Sequence, residues 1–212
     1  ITGGEGGFEY TEAKEMVDLL NAGALPVGAE VIQEESVGPT LGADSINKSK
    51  IAGFIGITAV MIFMIALYRV CGIVASISLV AYITIVAGIL GMFSLTLTLP
   101  GIAGIILTIG TAVDANVIIF ERIKDELKLG KTLRASVDSG FKRAFTAIID
   151  ANITTLIAAV VLYYFGTGSI KGFAVTLFIG TVVSMFTAII ITKFLLRQVI
   201  TFGSKNPKLY SA

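Results

Sequence analysis

Hydrophobic residues occur in five long runs that cover most of the chain and are separated by short polar stretches. A helix of about 20 apolar residues crosses the hydrocarbon core of a bilayer. The pattern therefore predicts five transmembrane helices, at about Ile51–Tyr68, Ile73–Phe93, Pro100–Phe120, Ala144–Phe165 and Gly172–Leu196. Because so few residues separate the first two runs, these two helices are expected to form a helical hairpin.

The first 50 residues show a different pattern, with many acidic and few basic positions. Apolar residues at helical spacing predict a short amphipathic helix at Thr11–Asn21, and alternation predicts a strand at Ala29–Glu35. One helix and one strand cannot enclose a hydrophobic core. Residues 1–50 are therefore predicted to be a small α/β remnant of a domain outside the membrane. The chain has neither an initiating Met nor a signal peptide, so we interpret it as the middle of a longer protein.

Composition supports a membrane protein and narrows the possible chemistry. Hydrophobic residues make up 55% of the chain, charged residues 15%, and the mean hydropathy is +0.89. Histidine is absent, which removes the commonest metal ligand and the usual proton shuttle near neutral pH. The single cysteine has no partner, and the net charge of +1 does not favour nucleic-acid binding. We expect no catalytic site, cofactor or metal, so the protein is not expected to be an enzyme, and any proton chemistry falls to carboxylates.

The distribution of basic residues predicts the orientation in the membrane. One side would carry Arg69, Arg122, Lys124, Lys128, Lys131, Arg134, Lys142, Arg143, Lys193, Arg197, Lys205 and Lys208. The other side would carry only Lys14, Lys48, Lys50 and Lys171. The positive-inside rule places the first group in the cytoplasm, together with a tail at 201–212, and places residues 1–50 outside. Within the membrane domain at 51–200, residues 121–143 would form a cytoplasmic connector, either a helix on the membrane surface or a solvated charged loop.

Asp114 is the main candidate for a functional residue. It lies in the third apolar run, where an ionisable side chain costs about 2.5–3.5 kcal/mol at the membrane centre. Thr111 and Asn116 are close in sequence and are predicted to support the carboxylate by hydrogen bonding to it. Small residues recur along the neighbouring face, which permits close helix packing. Asp114 is therefore predicted to bind and release a proton while turned towards neighbouring helices. A purely structural, hydrogen-bonded carboxylate is the weaker alternative.

A second polar group occurs in the fourth apolar run, at Asp150, Asn152 and Thr154. Asp150 is predicted to lie near the cytoplasmic start of that helix. The helix dipole would stabilise a carboxylate there, and Arg143 or Arg122 would be within reach. A structural role is therefore favoured for Asp150.

The motifs resemble a family of bacterial export proteins. The relevant segments are LLNAGALPV (Leu19–Val27), VGPTLGADSI (Val37–Ile46), LTLPGIAGIILTIGTAVDANVIIFERIKDEL (Leu97–Leu127), DANITTLIAA (Asp150–Ala159), GTGSIKGFAVTLFIG (Gly166–Gly180) and SMFTA (Ser184–Ala188). Together they are similar to the SecD family of the Sec protein-export machinery, a SecD/SecF group within the RND superfamily. Two departures are Thr111, where the family usually has Met, and Ser169, where Pro is common.

The resemblance implies an all-α, multi-pass RND-type half-bundle of five helices in the bacterial cytoplasmic membrane, preceded by a remnant of the first periplasmic domain. It implies that the proton-motive force drives assistance to protein export, with Asp114 as the proton-relay residue. The implied partners are SecF, the SecYEG channel, YidC, YajC, the lipid bilayer and a translocating preprotein, which would bind a periplasmic domain outside this chain. Two alternatives remain: an RND exporter of small molecules or lipids, and a non-conducting scaffold. Proton and sodium coupling also remain open.

Overall fold

The computed structural model describes Lys14, residues 39–94 and residues 97–202. The chain divides into two compact units, Ile1–Ser36 and Val37–Ala212. The predicted helix at 11–21 and strand at 29–35 lie outside the described residues, except for Lys14, which is helical. The second unit contains the elements described below.

Helices account for nearly all of residues 39–94 and 97–202. They are α1 (Pro39–Tyr68), α2 (Val70–Met92), α3 (Leu99–Lys128), α4 (Leu133–Phe165), α5 (Ser169–Phe186) and α6 (Thr192–Phe202), with a π-helical turn at Thr187–Ile191 that joins α5 to α6 without a break. Within these ranges, five helical stretches are long and apolar enough to cross a membrane, the fifth formed by α5, the π turn and α6. The predicted five-helix architecture is confirmed.

The helices extend further than the apolar runs. The first helix begins at Pro39 instead of Ile51. Residues 121–143 form no separate connector element, because α3 continues to Lys128 and α4 begins at Leu133, leaving a turn at 129–132. Hydropathy falls where charged residues begin, whereas Glu, Lys and Arg are good helix formers and prolong both helices. Gly130 adopts a φ of 81° in this turn, a conformation that glycine accepts readily.

A tight hairpin joins α1 to α2, as the spacing predicts. Its link is the single residue Arg69, which has φ 48° and ψ −112°. This backbone conformation costs a non-glycine residue about 1–3 kcal/mol. Gly72 then lets the two backbones approach, since a Cβ at this position would overlap the Met64 carbonyl. The hairpin therefore combines a strained turn with close backbone packing.

The most extensive helix contacts lie between α3 and α5, where small residues allow close approach. A Cβ on Gly104 would overlap the Thr176 hydroxyl, and one on Gly180 would overlap Thr108. The predicted small-residue face of α3 is indeed buried, at Gly101, Gly104, Thr108, Ala112 and Ala115. This packing fixes which side of α3 points into the bundle and which side points out.

Candidate functional site

A buried polar network connects three helical segments near the centre of the bundle. The Thr192 hydroxyl lies 2.8 Å from the Asn116 Oδ1 atom and 2.8 Å from the Ser78 Oγ atom. The Asn116 Nδ2 group donates to the Ala112 carbonyl of its own helix at 3.2 Å. All three side chains of the network are nearly inaccessible, with Asn116 the most exposed at 3%. The network thus ties α2, α3 and the start of α6 together through groups that have no access to water.

The π-helical turn precedes Thr192 and helps to position it. The Thr192 backbone N–H donates to the Thr187 carbonyl, five residues earlier, instead of to the fourth residue back. An inserted residue in one turn changes the rotational phase of the helix that follows. The Thr192 side chain is then fully buried, against Asn116 and Ser78. Neither Thr192 nor Ser78 was predicted from sequence, because their link to Asn116 joins residues far apart in the chain.

A second buried hydrogen bond continues the polar interior of α3. The Tyr82 hydroxyl donates to the Thr108 Oγ1 atom at 2.8 Å, and Thr108 in turn donates to the Ile105 carbonyl at 3.0 Å. Tyr82 is 1% exposed and Thr108 0%. Hydrogen bonds between transmembrane helices contribute on average about 0.6 kcal/mol each. The inward face of α3 is therefore hydrogen-bonded to α2 directly at Thr108 and indirectly at Asn116, through Thr192.

Asp114 lies on the opposite side of α3 from this network. Its side chain is exposed, whereas Ala115 and Asn116 are buried. Residues two apart on an α-helix differ by about 200° in direction, so Asn116 faces inward when Asp114 faces outward. The exposed side also carries Ala103, Ile106, Leu107 and Gly110. Asp114 therefore does not face the other described helices of this chain, because the small-residue face occupies their interface. That Asp114 is turned towards helices rather than lipid stays a prediction.

The two predicted supporting residues do not contact the Asp114 carboxylate. Thr111 donates to the Thr108 carbonyl at 3.0 Å, and Asn116 belongs to the buried network. Among the described residues, Asp114 makes neither a side-chain hydrogen bond nor an ion pair. Its carboxylate is thus presented on an otherwise apolar face.

The second Asp-Ala-Asn triplet has the same alternation. Asp150 is exposed, and Asn152, 7% exposed, donates to the Ile148 carbonyl at 2.7 Å. The Thr154 hydroxyl donates to the Asp150 carbonyl at 3.4 Å. Asp150 lies at the middle of α4 rather than near its start, because α4 begins at Leu133. The expected stabilisation by the helix dipole therefore does not apply.

The arginines expected near Asp150 make other contacts, at the end of the bundle around the 129–132 turn. Arg143 pairs with Glu126 at 2.8 Å, and Lys131 also pairs with Glu126. Arg122 lies 4.0 Å from Asp125. Lys131 and Arg143 cover the Glu126 carboxylate, which has no exposed surface. These two basic side chains are themselves 43% and 60% exposed, respectively. The mixed charges at helical spacing were the available sequence signal for this pairing.

A further ion pair connects α4 to α6 at the same end. Arg197 donates to the Asp138 Oδ1 atom at 2.5 Å, with the Lys193 Nζ atom 4.0 Å from the same oxygen. In the described part of the chain, no three His, Cys, Asp or Glu side chains lie close enough to hold a metal ion. The polar groups at this end of the bundle make ion pairs.

Comparisons with known proteins agree with this architecture. The family model described as "Protein export membrane protein SecD/SecF, C-terminal" matches residues 20–201. The chain belongs to the SecD/SecF family. It is a multi-pass membrane protein of that family, and the resemblance predicted from its motifs is confirmed.

Several relatives are similar over the whole chain. The chain is 52% identical to the protein translocase subunit SecD of Acidaminococcus fermentans, covering 100% of this chain and 52% of the relative. It is 50% identical to that of Calditerrivibrio nitroreducens, covering 100% of this chain and 41% of the relative. The chain thus spans about half, or less, of the length of these curated relatives.

A solved structure shares the fold. The crystal structure of SecDF from Thermus thermophilus, described as a translocon-associated membrane protein, aligns with a TM-score of 0.80 and 42% identity. The alignment covers 94% of this chain and 28% of the Thermus chain. The five-helix bundle is therefore the membrane fold of the SecD/SecF family.

Proposed function

We propose that this chain is the membrane portion of a SecD-type subunit that uses the proton-motive force to assist protein export across the bacterial cytoplasmic membrane. The observation that carries the proposal is Asp114, a carboxylate on an otherwise apolar face of a membrane-spanning helix, in a family whose relatives are named translocase subunits. Facing acyl chains would cost the ionised form about 2.5–3.5 kcal/mol. Binding a proton would remove this cost whenever the surroundings of the carboxylate become apolar.

The exposed face of α3 suggests where the partner binds. Ala103 and Gly110 precede Asp114 on this exposed face, and small residues favour close approach of another helix. We assign this face to SecF, whose helices would cover Asp114 and control its hydration. The remaining expected partners are the SecYEG channel, YidC and YajC, and a preprotein held by a periplasmic domain outside this chain.

The proposed cycle couples protonation to movement of that domain. When SecF and water surround the carboxylate, the ionised form is stabilised; when the interface closes and dries, the protonated form is favoured. Asn116 would support Asp114 indirectly, by fixing the rotation of α3 through Thr192 and Ser78. Thr111, whose hydroxyl bonds to its own helix, could reorient towards the carboxylate only by giving up that bond.

The decisive experiment compares Asp114→Asn with Asp150→Asn in the full-length protein, reconstituted with its partners in vesicles. Both changes keep the side-chain size and remove titration, and both residues are exposed on a membrane-spanning helix. We expect Asp114→Asn to abolish stimulation of preprotein export by the proton-motive force, and Asp150→Asn to retain most of it. Co-purification of SecF should be unchanged in both variants.

Further outcomes separate the alternatives. A scaffold would tolerate Asp114→Asn, so normal export by this variant would refute the proton-relay role. If the protein exports small molecules, Asp114→Asn should alter drug accumulation and leave preprotein transport unaffected. Replacing sodium with potassium in the assay distinguishes sodium from proton coupling.

The proposed orientation places the 129–132 turn in the cytoplasm and the turn between α4 and α5 outside. Thiol labelling tests it in a background in which Cys71 is replaced by Ser. The exposed positions Leu129 and Thr167 are suitable sites, because a Cys at Lys131 would disturb the pair with Glu126. A reagent that cannot cross the membrane should modify Thr167→Cys from outside and spare Leu129→Cys, and the reverse pattern would invert the topology.

A further inference from the structure

A groove at the end of the bundle near the 129–132 turn combines a basic mouth with an apolar floor. It has a volume of about 430 Å³ and lies between α4 and the segment formed by the π turn and α6. Its mouth is lined by Asp138, Lys142 and Lys193, and its floor by Phe145, Ile148 and Ile189. Asp114 is not among its lining residues, so the groove is distinct from the proposed proton site.

The mouth of the groove carries more positive than negative charges. Arg197 pairs with Asp138 at 2.5 Å, and Lys193 lies 4.0 Å from the same oxygen. One carboxylate is therefore shared between two cations, and Lys142 adds a third, exposed, positive charge. The Lys193 Nζ atom also lies 5.6 Å from the centre of the Phe141 ring, which directs it over the groove wall. The mouth has a net positive charge and suits an anionic group.

The groove also runs from polar to apolar residues, as expected of a site that crosses the boundary between water and the membrane. Residues Asp138, Lys142, Phe145 and Ile148 line one side of α4 at three- or four-residue spacing, so polar residues give way to apolar ones along about 15 Å of helix. Ile189 and Lys193 repeat this order on the opposite wall. An occupant must therefore be charged at one end and apolar at the other.

We propose that this groove binds an anionic phospholipid, with its phosphate at Lys142 and Lys193 and an acyl chain against Phe145, Ile148 and Ile189. Basic pockets between transmembrane helices are suited to anionic headgroups. A packed helix fits less well, because helix interfaces in membranes favour small residues and this floor is lined by large ones. The proposal does not depend on proton coupling, so either can fail without the other.

The test measures lipid binding to the purified chain in neutral detergent by native mass spectrometry. Phosphatidylglycerol is titrated against phosphatidylcholine with the same acyl chains. We expect preferential binding of phosphatidylglycerol, and a loss of roughly 30-fold in its affinity for the double variant Lys142→Gln, Lys193→Gln, given the usual contribution of each surface cation. The matched control Lys124→Gln, Lys128→Gln removes the same charge near the same turn, outside the groove, and should bind within about twofold of the parent chain.

A third variant tests the apolar floor separately. Ile189→Trp retains both lysines and fills the space for the acyl chain, so binding of both lipids should fall several-fold. Protection of the buried Cys71 thiol verifies that each variant is folded. Inorganic phosphate at millimolar concentration should not displace the lipid, because it lacks the acyl chain.

Four results of the binding measurements would overturn the assignment. They are equal binding of the two lipids, equal losses in the two lysine double variants, unchanged binding by Ile189→Trp, and displacement by phosphate alone. Photo-crosslinking from position 145 to another protein in native membranes, in place of lipid, would identify the groove as a subunit interface and would also refute the proposal.

Discussion

The two Asp-Ala-Asn triplets have the same sequence and different surroundings. In both, the aspartate is exposed, and the asparagine is buried and donates to a carbonyl of its own helix. In α3, Asn116 also accepts a hydrogen bond from Thr192, which contacts Ser78 of a third helix. In α4, the only side-chain hydrogen bond of Asn152 within the described structure is to Ile148. Among the described residues, only the α3 triplet is therefore linked by side-chain hydrogen bonds to other helices.

The difference shows that a short motif fixes the direction of its side chains but not their partners. Helical geometry alone turns the aspartate and asparagine to opposite sides. Whether the asparagine then joins other helices depends on residues far away in sequence, here Thr192 and the π turn before it. In α3, the outward carboxylate of Asp114 lies two residues from an asparagine that is hydrogen-bonded to another helix. In α4, the asparagine bonds only to a carbonyl of its own helix among the described residues.

The largest expected difference in stability is between variants of the alanines at the centre of the two triplets, Ala115 and Ala151. Ala115 is 3% exposed, whereas Ala151 is exposed. Ala115→Leu should overpack the interface and lower the free energy of unfolding by about 3 kcal/mol, while Ala151→Leu should change it by less than about 0.5 kcal/mol. Thermal unfolding in detergent, detected by a thiol-reactive fluorophore at the buried Cys71, compares them. Equal stability of the two variants would contradict the difference in packing.

The asparagines should differ less strongly. Asn116→Ala removes the bond to Thr192, whose hydroxyl keeps its contact with Ser78, and leaves a buried position unfilled, which together should cost about 2 kcal/mol. Asn152→Ala should cost about 0.5 kcal/mol, because the Asn152 side chain bonds to a carbonyl of its own helix. The same unfolding assay applies, and a larger loss for Asn152→Ala would reverse the comparison.

Thr192 should couple to one triplet and not to the other. Thr192→Val should destabilise the chain by about 1–2 kcal/mol, since it removes the hydroxyl between Asn116 and Ser78. In a double-mutant cycle, Thr192→Val and Asn116→Ala should show a coupling of about 1 kcal/mol. The matched cycle with Asn152→Ala should be additive. Coupling of similar size in both cycles would mean that the network extends to α4.

The smallest effect is expected at the aspartates. Because Asp114 and Asp150 are both exposed, replacing either with Asn should change the stability of this isolated chain by no more than about 0.5 kcal/mol. A contrast should appear only in the complete complex, where SecF would cover Asp114. A marked change in the stability of the isolated Asp114→Asn variant would show that this chain already buries the carboxylate.

Hydrophobic periodicity was sufficient to predict the five membrane helices and the buried small-residue face of α3, because both depend on local pattern. Helix ends were less predictable, since α3 and α4 continue through charged residues whose pairing, such as Glu126 with Arg143, unites separate helices. The orientation of Asp114 could not be derived, because α3 carries small residues suitable for packing on both its buried and its exposed side. Thr192 was missed because a π turn leaves no recognised signal in the sequence.

The one-residue link at Arg69 has a consequence for how the first two helices can move. With Tyr68 ending α1 and Val70 starting α2, the connection has no slack that would let one helix slide along the other. Any shift of α1 along the membrane normal must therefore carry α2 with it. The strained turn and the close approach of Gly72 to Met64 hold the same register, so the hairpin moves as one body.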